Sequence, residues 1–535
     1  MRTALGALPL LTLWVLPLIA SLAMALLSGL DAAAWTALMA HPQVWPGLAL
    51  SLATGLAAAA LALLCALIIA AGFHALPLRP GLRAVVAAGM ALPHLAFATG
   101  FGFLIMPSGV LARLLVGGDT PPPWVTTQDP FGIVLLLALA LKEVPFLLAM
   151  IWSALAEGGL AARLDGQRRV ARSLGHGNGS IWLRVVQPQI MRKLLWPLVI
   201  VFSYGATVID MALVIGPTQP PTLGVVVWHD LNAGEPSLNA RGFAGAMFLT
   251  LAVIATAAVA ALGLNAARWL TRPWLSAGPS RLAAPVGVAW AGASVIGTVF
   301  IAALLLLGVF SVAPRWPYPD LWPSAFSPQP WVTLTLSSSA LWLSLSLGFV
   351  AALTALALAI LWLETQTARA DRWLLGLAVL SLALPPLAVA AGQYQMLLPL
   401  GLTGHLAGLF MVHLAPVLAY VMVVLTAPYR GLDPRYMAVA RSLSARRLQR
   451  WWRIKLPLLK GPILTAAAVG FSVSMVQFVG AQLVAAGRFE TLPIDAVTLA
   501  SGGNRSLSAA YSLALALPPL LAFAIAAIAG RPRWR

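Results

Sequence analysis

Ionisable side chains inside long apolar runs are the first places to look for chemistry in this sequence. Burying a charge in hydrocarbon is costly, and such residues mark solute pathways or internal ion pairs. Lys142, Glu143, Asp210 and His413 lie in such runs, and Gln393, Gln477 and Gln482 add uncharged polarity. Metal or redox chemistry finds no support, because Cys65 is the lone cysteine and no His/Asp/Glu cluster has ligand spacing. No Gly-x-x-x-x-Gly-Lys-Ser/Thr run is present either, so the chain has no phosphate-cradling loop. Two roles remain open. Lys142, Asp210, His413 and Gln393 line a central solute pathway, or the charges pair internally, Lys142 with Asp210 or Glu143. Adjacent residues on a helix point about 100° apart, so Lys142 and Glu143 serve different surfaces.

The elements that must position these groups are membrane spans. Of the 535 residues 60% are hydrophobic and only 9% charged, and the mean hydropathy is +0.90. Such a chain cannot cover itself with a polar surface. Its apolar runs repeatedly exceed the roughly 18 residues that cross a bilayer, and only a helical bundle satisfies the backbone there without strand closure. Twelve runs are expected, near 8–29, 47–72, 84–106, 132–156, 195–216, 243–265, 288–311, 338–363, 373–397, 404–427, 463–486 and 507–530. Arg2 ahead of an apolar stretch, with Ala23-Met24-Ala25 behind it, imitates a signal peptide. The run is long enough to span, however, and the first half needs it to complete six helices.

The formal charge of +18 would suggest nucleic acid in a soluble protein. Here its placement explains it. With the N-terminus cytoplasmic, 27 of the 33 Lys and Arg residues fall in inside segments, five in outside loops and Lys142 within a span. The positive-inside rule therefore puts both termini in the cytoplasm. The outside loops 118–130 and 314–323 are rich in Pro and aromatic residues, which suits anchoring at the membrane–water interface or docking of an external partner.

The chain also repeats itself. Val170-Ala171-Arg172-Ser173-Leu174 recurs as Val439-Ala440-Arg441-Ser442-Leu443, an offset of 269. The same offset pairs Trp182 with Trp451, Arg184 with Arg453, Pro188 with Pro457, Phe202-Ser203 with Phe471-Ser472 and Thr222-Leu223 with Thr491-Leu492. Upstream, Ala91-Leu92-Pro93 matches Ala383-Leu384-Pro385 and Pro145 matches Pro416. An even number of spans per copy inserts both copies the same way up. The expected fold class is thus an all-α membrane protein of about twelve transmembrane helices in two parallel six-helix repeats. The modules cover 1–265 and 288–535, joined by a cytoplasmic linker at 266–287.

Each copy carries a long basic loop, 157–194 and 428–461, at an equivalent place. The pattern resembles the EAA loop of ABC-importer permeases, which reads Glu-Ala-Ala, three residues, Gly, and a Pro thirteen residues later. Arg169-Val170-Ala171, Gly175 and Pro188 fill it in the first copy, and Ala438-Val439-Ala440, Ser444 and Pro457 in the second. The Glu is absent from both, and Ser444 replaces the Gly. Both halves are similar to fused two-module permeases of this family, the YnjC type above all and those for ferric iron and thiamine. The matching stretches include Pro93-His94, Val208-Ile209-Asp210, Gly216-Pro217, Ala391-Gly392-Gln393-Tyr394 and Gly487-Arg488-Phe489. The resemblance implies a type I ABC-importer permease of the bacterial inner membrane that is not an enzyme and holds no cofactor. ATP would be bound by two copies of a separate subunit, docked on the loops through Ala171, Gly175, Pro188, Ala440, Ser444 and Pro457. A periplasmic binding protein would deliver the solute; lipid, not nucleic acid, surrounds the chain. A twelve-helix secondary transporter is the rival reading. It predicts a Gly-x-x-x-Asp signature between spans 2 and 3, which Phe73 to Arg83 lacks, and leaves the long loops unexplained.

Overall fold

The computed structural model describes residues 2–74, 80–116, 118–443 and 446–531, so Arg79, Ser444, Arg533 and Arg535 lie outside the described residues. Among the described residues there is no β-strand, only isolated bridges at Thr218–Pro221 and Arg315–Ala325. Among the described residues ten helices are long and apolar enough to cross a membrane, or up to twelve if each of two bent pairs is one span. The all-α class expected from composition is what the chain adopts.

Proline shapes the departures from straight helix. The expected run at 84–106 is broken at Pro93, between helices Pro80–Ala91 and His94–Ile105. Its counterpart bends by 104° between Ala368–Ala383 and Pro386–Leu397, across Pro385. Three short π-helical turns, Leu11–Val15, Trp182–Val186 and Trp451–Lys455, share one cause. Each precedes a proline by one residue (Pro17, Pro188, Pro457), and the intervening residue donates its N–H five positions back, as Gln187 does to Trp182 O. The ring clashes with the carbonyl four residues earlier and supplies no N–H, so the turn before it widens.

Downstream of the basic loops the two copies keep their register in three dimensions. Leu195–Thr207 is followed by a break and helix Asp210–Ile215, and Leu456–Met475 by a break and Val479–Ala485. Asp210 therefore lies beyond the fifth span, at the start of a short helix, rather than inside a continuous span 195–216. Next come Leu223–Asn232 and Leu492–Ser501. Leu223 N–H donates to Ser51 Oγ at 2.9 Å, and Leu492 N–H donates to Ser344 Oγ at 2.8 Å. The same contact thus closes both copies.

The chain folds as two compact units. One gathers Met1–Asp31, Ala91–Pro93 and Pro328–Arg535, the other Ala32–Met90 and His94–Ser327. These are not the two sequence copies, because each copy's first span packs with helices of the other copy. Trp14 is buried in a core with Ala355, Trp362 and Val417, and its Nε1 donates to Ala415 O at 2.8 Å. A Cβ on Gly392 would lie 2.9 Å from the Ser21 carbonyl carbon. In the other unit, Val286–Ser311 packs on His94–Ile105, with Phe97 stacked on Phe300 and Phe103 on Phe310. Without a hydrophobic drive between helices in lipid, such small residues gain close van der Waals contact.

Asp495 sits half-buried in Leu492–Ser501, a helix too short to span. Burial, and secondarily the Glu490 charge, raise its carboxyl from 3.8 to about 6. An acid with a raised folded-state pKa destabilises the fold once ionised, so stability falls as pH rises from the unfolded value toward 6. We expect Asp495→Asn to raise the melting temperature near neutral pH and to flatten its pH dependence in that window. Thermal melts in nanodiscs across this range check both; parallel wild-type and variant curves would refute the assignment.

Candidate functional site

The basic loops take different local forms from one pattern. In the first, helix Gly158–Ser173 ends at Gly175, whose φ is +86°. Gly175 N–H donates to Arg172 O and His176 N–H to Ala171 O, both at 3.0 Å. This is a Schellman closure, in which glycine enters the left-handed region without a Cβ penalty. Ala171 is buried while Val170 and Leu174 stay more than half exposed. After the turn, Asn178–Ile181 leads through the π-helical turn to Pro188, in the first turn of Gln187–Met191. A groove of about 700 Å³ lies between the arms, lined by Arg163, Val170, Leu174, Arg184 and Pro188. In the second loop, Pro434–Leu443 buries Ala440 and exposes Val439, and Pro457 opens Leu456–Met475.

Different contacts hold the two loops. The first is laced to the segment that precedes Val286–Ser311. Gly177 N–H donates to Ser280 O and Gly179 N–H to Leu282 O, each at 2.9 Å, and Ser180 Oγ donates to Ser280 O at 2.7 Å. Arg184 donates to the carbonyls of Ala277 and Gly278 and lies over the Trp274 ring at 5.0 Å. The second loop is held by ionic groups of its own unit. Asp371 accepts from Arg430 Nε at 2.6 Å, Arg430 Nη2 at 3.0 Å and Trp362 Nε1 at 3.0 Å. Lys455 pairs with Glu364, which also accepts from Tyr429 OH at 2.6 Å, and Trp451 Nε1 donates to Tyr429 OH at 3.2 Å. Trp451 and Lys455 bound the third π-helical turn, so the network grips the arm leading into the eleventh span.

The intramembrane polar residues do not pair as expected. Lys142 meets neither Asp210 nor Glu143 in an ion pair; its Nζ donates to Gly89 O at 2.9 Å. Gly89 is in the last turn of Pro80–Ala91, where carbonyls lack helical partners and the helix dipole favours a cation. The break at Pro93 creates that acceptor, which no pattern of side-chain charges reveals. Glu143 faces away from Lys142, with its Oε1 3.0 Å from His94 Nε2. The His94 ring lies 4.6 Å from the Tyr204 ring, and Tyr204 OH donates to Asp210 Oδ1 at 3.5 Å. His94, Glu143 and Tyr204 thus join Asp210 in one cluster. His413 and Gln393 belong to the other compact unit. His413 Nδ1 lies 2.7 Å from Ser474 Oγ, and its buried Nε2 has no partner among the described residues. Gln393 is buried near Gly480. His94 had one signal in sequence, its place directly after the Pro93 break.

Among the described residues no group of three or more His, Cys, Asp or Glu side chains could hold a metal ion. No family model matches the chain. Over 502 residues it is 30% identical to the inner membrane ABC transporter permease protein YnjC of Escherichia coli (strain K12), an overlap of 93% of this chain and 90% of that protein.

Proposed function

The chain belongs to the family of inner membrane ABC transporter permeases, and from that premise we propose that it is the solute-conducting subunit of a binding-protein-dependent importer. Permeases of this kind work with an ATPase. Two ATPase copies dock here, one on each basic loop, and a periplasmic binding protein presents the solute on the opposite side. ATP stays on those subunits, so this chain needs no cofactor and catalyses no reaction. Both termini are cytoplasmic, as the Lys and Arg distribution requires. The modules 1–265 and 288–535 supply corresponding halves of the pathway, with Lys142, Asp210, His413 and Gln393 among its polar groups.

One observation carries this reading. At the same register in both loops a buried alanine, Ala171 or Ala440, stands beside an exposed valine, Val170 or Val439. One exposed valine alone is ordinary, but its recurrence beside a buried alanine at an offset of 269 fits a partner present twice. The missing Glu of the EAA pattern leaves apolar contact as the shared feature. Affinity-purified wild type is expected to retain a P-loop ATPase, and Val170→Asp with Val439→Asp to lose it at unchanged membrane expression. Transport by the purified chain without any ATPase would refute the proposal and favour a secondary transporter.

A further inference from the structure

We propose that Glu143, His94, Tyr204 and Asp210 form a recognition site for a cationic nitrogen of the transported solute: an amine, a guanidine or a quaternary ammonium. The inference rests on the permease reading and adds the solute's chemical class. The four residues come from three places in the fold: the fourth span, the helix starting at His94, and the chain either side of the break after Thr207. Discontinuous helices line solute sites in transporters because their breaks bring backbone and polar groups to the pathway.

Accessibility distinguishes this cluster from its setting. From Ala91 to Phe103 every residue is buried except His94, and from Val201 to Ala212 every residue is buried except Tyr204 and Asp210. The His94 side chain is 25% exposed and that of Glu143 10%. Where these helices open, they open at the polar residues. Ionisable groups at membrane depth face a bundle interior or a water-filled cavity, so the opening is toward an aqueous path.

The sign of the charge selects the ligand. With both carboxylates ionised the cluster carries −2 when His94 is neutral and −1 when it is protonated. Lys142, bonded to Gly89 O, offsets one of these charges through its neighbour Glu143, and the balance stays at −1 while His94 is neutral. Among the described residues no Lys or Arg pairs with Asp210, whose hydroxyl contact from Tyr204 is long at 3.5 Å. Backbone N–H groups of Asp210 and Met211 also reach this carboxylate, but no Lys or Arg supplies its counter-charge, so it gains from an incoming cation; the Tyr204 ring, packed against His94, stands beside it. A metal held by protein ligands is disfavoured, because no three-ligand group forms. The second copy has Pro386, Leu414, Val473 and Val479 at the equivalent positions, so the recognition is one-sided.

The test is thermal unfolding of the purified full chain in nanodiscs at constant ionic strength, with choline, putrescine, arginine, glutamate or glucose added. At least one of the three cationic probes should raise the melting temperature by several degrees, while glutamate and glucose do not. Asp210→Asn and Glu143→Gln should abolish the rise, and Tyr204→Phe, which keeps the ring, should preserve it. Stabilisation by glutamate or glucose alone, the absence of any rise with the three cations, or a full rise in Asp210→Asn would overturn the proposal. ATPase co-purification with the same variants separates this outcome from failure of the permease reading, since Asp210 and Glu143 both lie outside the basic loops 157–194 and 428–461.

Discussion

Asp371→Ala lowers the stability of the protein by about 3 kcal/mol, the lower end of the cost of breaking a buried ion pair. Asp371 is 3% exposed and accepts three hydrogen bonds, two from Arg430 and one from the buried indole of Trp362. Removing the carboxylate strands both donors. The Arg430 side chain is 32% exposed and keeps a bond to Gln366 O at 2.8 Å, so water recovers part of its loss, which sets the estimate near the bottom of the range. Trp362 recovers nothing, and an orphaned buried donor costs about 1–3 kcal/mol. Arg430 is the last residue of Leu406–Arg430, from which the second basic loop departs. The same variant should therefore loosen that loop, seen as faster amide hydrogen exchange across 434–443. Asp371→Leu combined with Arg430→Met should regain only the part of the loss due to Arg430, since apolar replacement of a whole pair is often near neutral while Trp362 Nε1 stays without its acceptor. Thermal melts of the single and double variants decide the matter; equal losses in both would show that the ion pair contributes nothing beyond packing.

The reach of the sequence in this protein follows the range of the interactions concerned. Periodicity, composition and an offset of 269 located the spans, the loops and the duplicated turns, because each depends on neighbours along the chain. Pro188 and Pro457 widen the turns before them, Pro93 and Pro385 break spans, and Gly175 closes a helix, all through local sterics. Three features were illegible. The first spans pack across copies, which depends on small residues such as Gly392 and Gly100 meeting backbone far away in sequence. Lys142 finds a carbonyl freed by a helix break, which side-chain charges alone do not name as its partner. His94 and Tyr204 reach Asp210 only once two broken segments fold onto the fourth span. The sequence did show that the copies differ in their intramembrane charges, and the structure adds that they differ in what braces their loops.

That difference leads to the second large effect, at Gly179. Its N–H donates to Leu282 O, and a Cβ there would come within 2.7 Å of the Ala283 carbonyl carbon. At Gly177 a Cβ would come 2.5 Å from Leu282 O. Both obstacles are backbone, which cannot rotate away as a side chain can, so Gly179→Val must expel the segment 280–283. Expulsion also removes the bonds from Gly177 and Ser180 and costs Arg184 its carbonyl acceptors. The bundle is untouched, because these contacts lie in the loop and the segment it holds. We therefore expect spans that melt as in wild type, with trypsin cleavage after the exposed Arg281 accelerated at least about tenfold, as ~1.4 kcal/mol of lost local protection already gives. ATP-driven uptake should fall with it, because the ion pair that joins the ends of the first loop, Lys193–Glu157, is solvent-exposed and does not hold its docking face. Arg184→Ala removes the carbonyl bonds and the Trp274 contact without a clash, and should give an intermediate cleavage rate. If cleavage at Arg281 is unchanged in Gly179→Val, the segment is held by contacts outside this groove. If cleavage rises while uptake is intact, the linker is a passenger and the first loop is rigid without it.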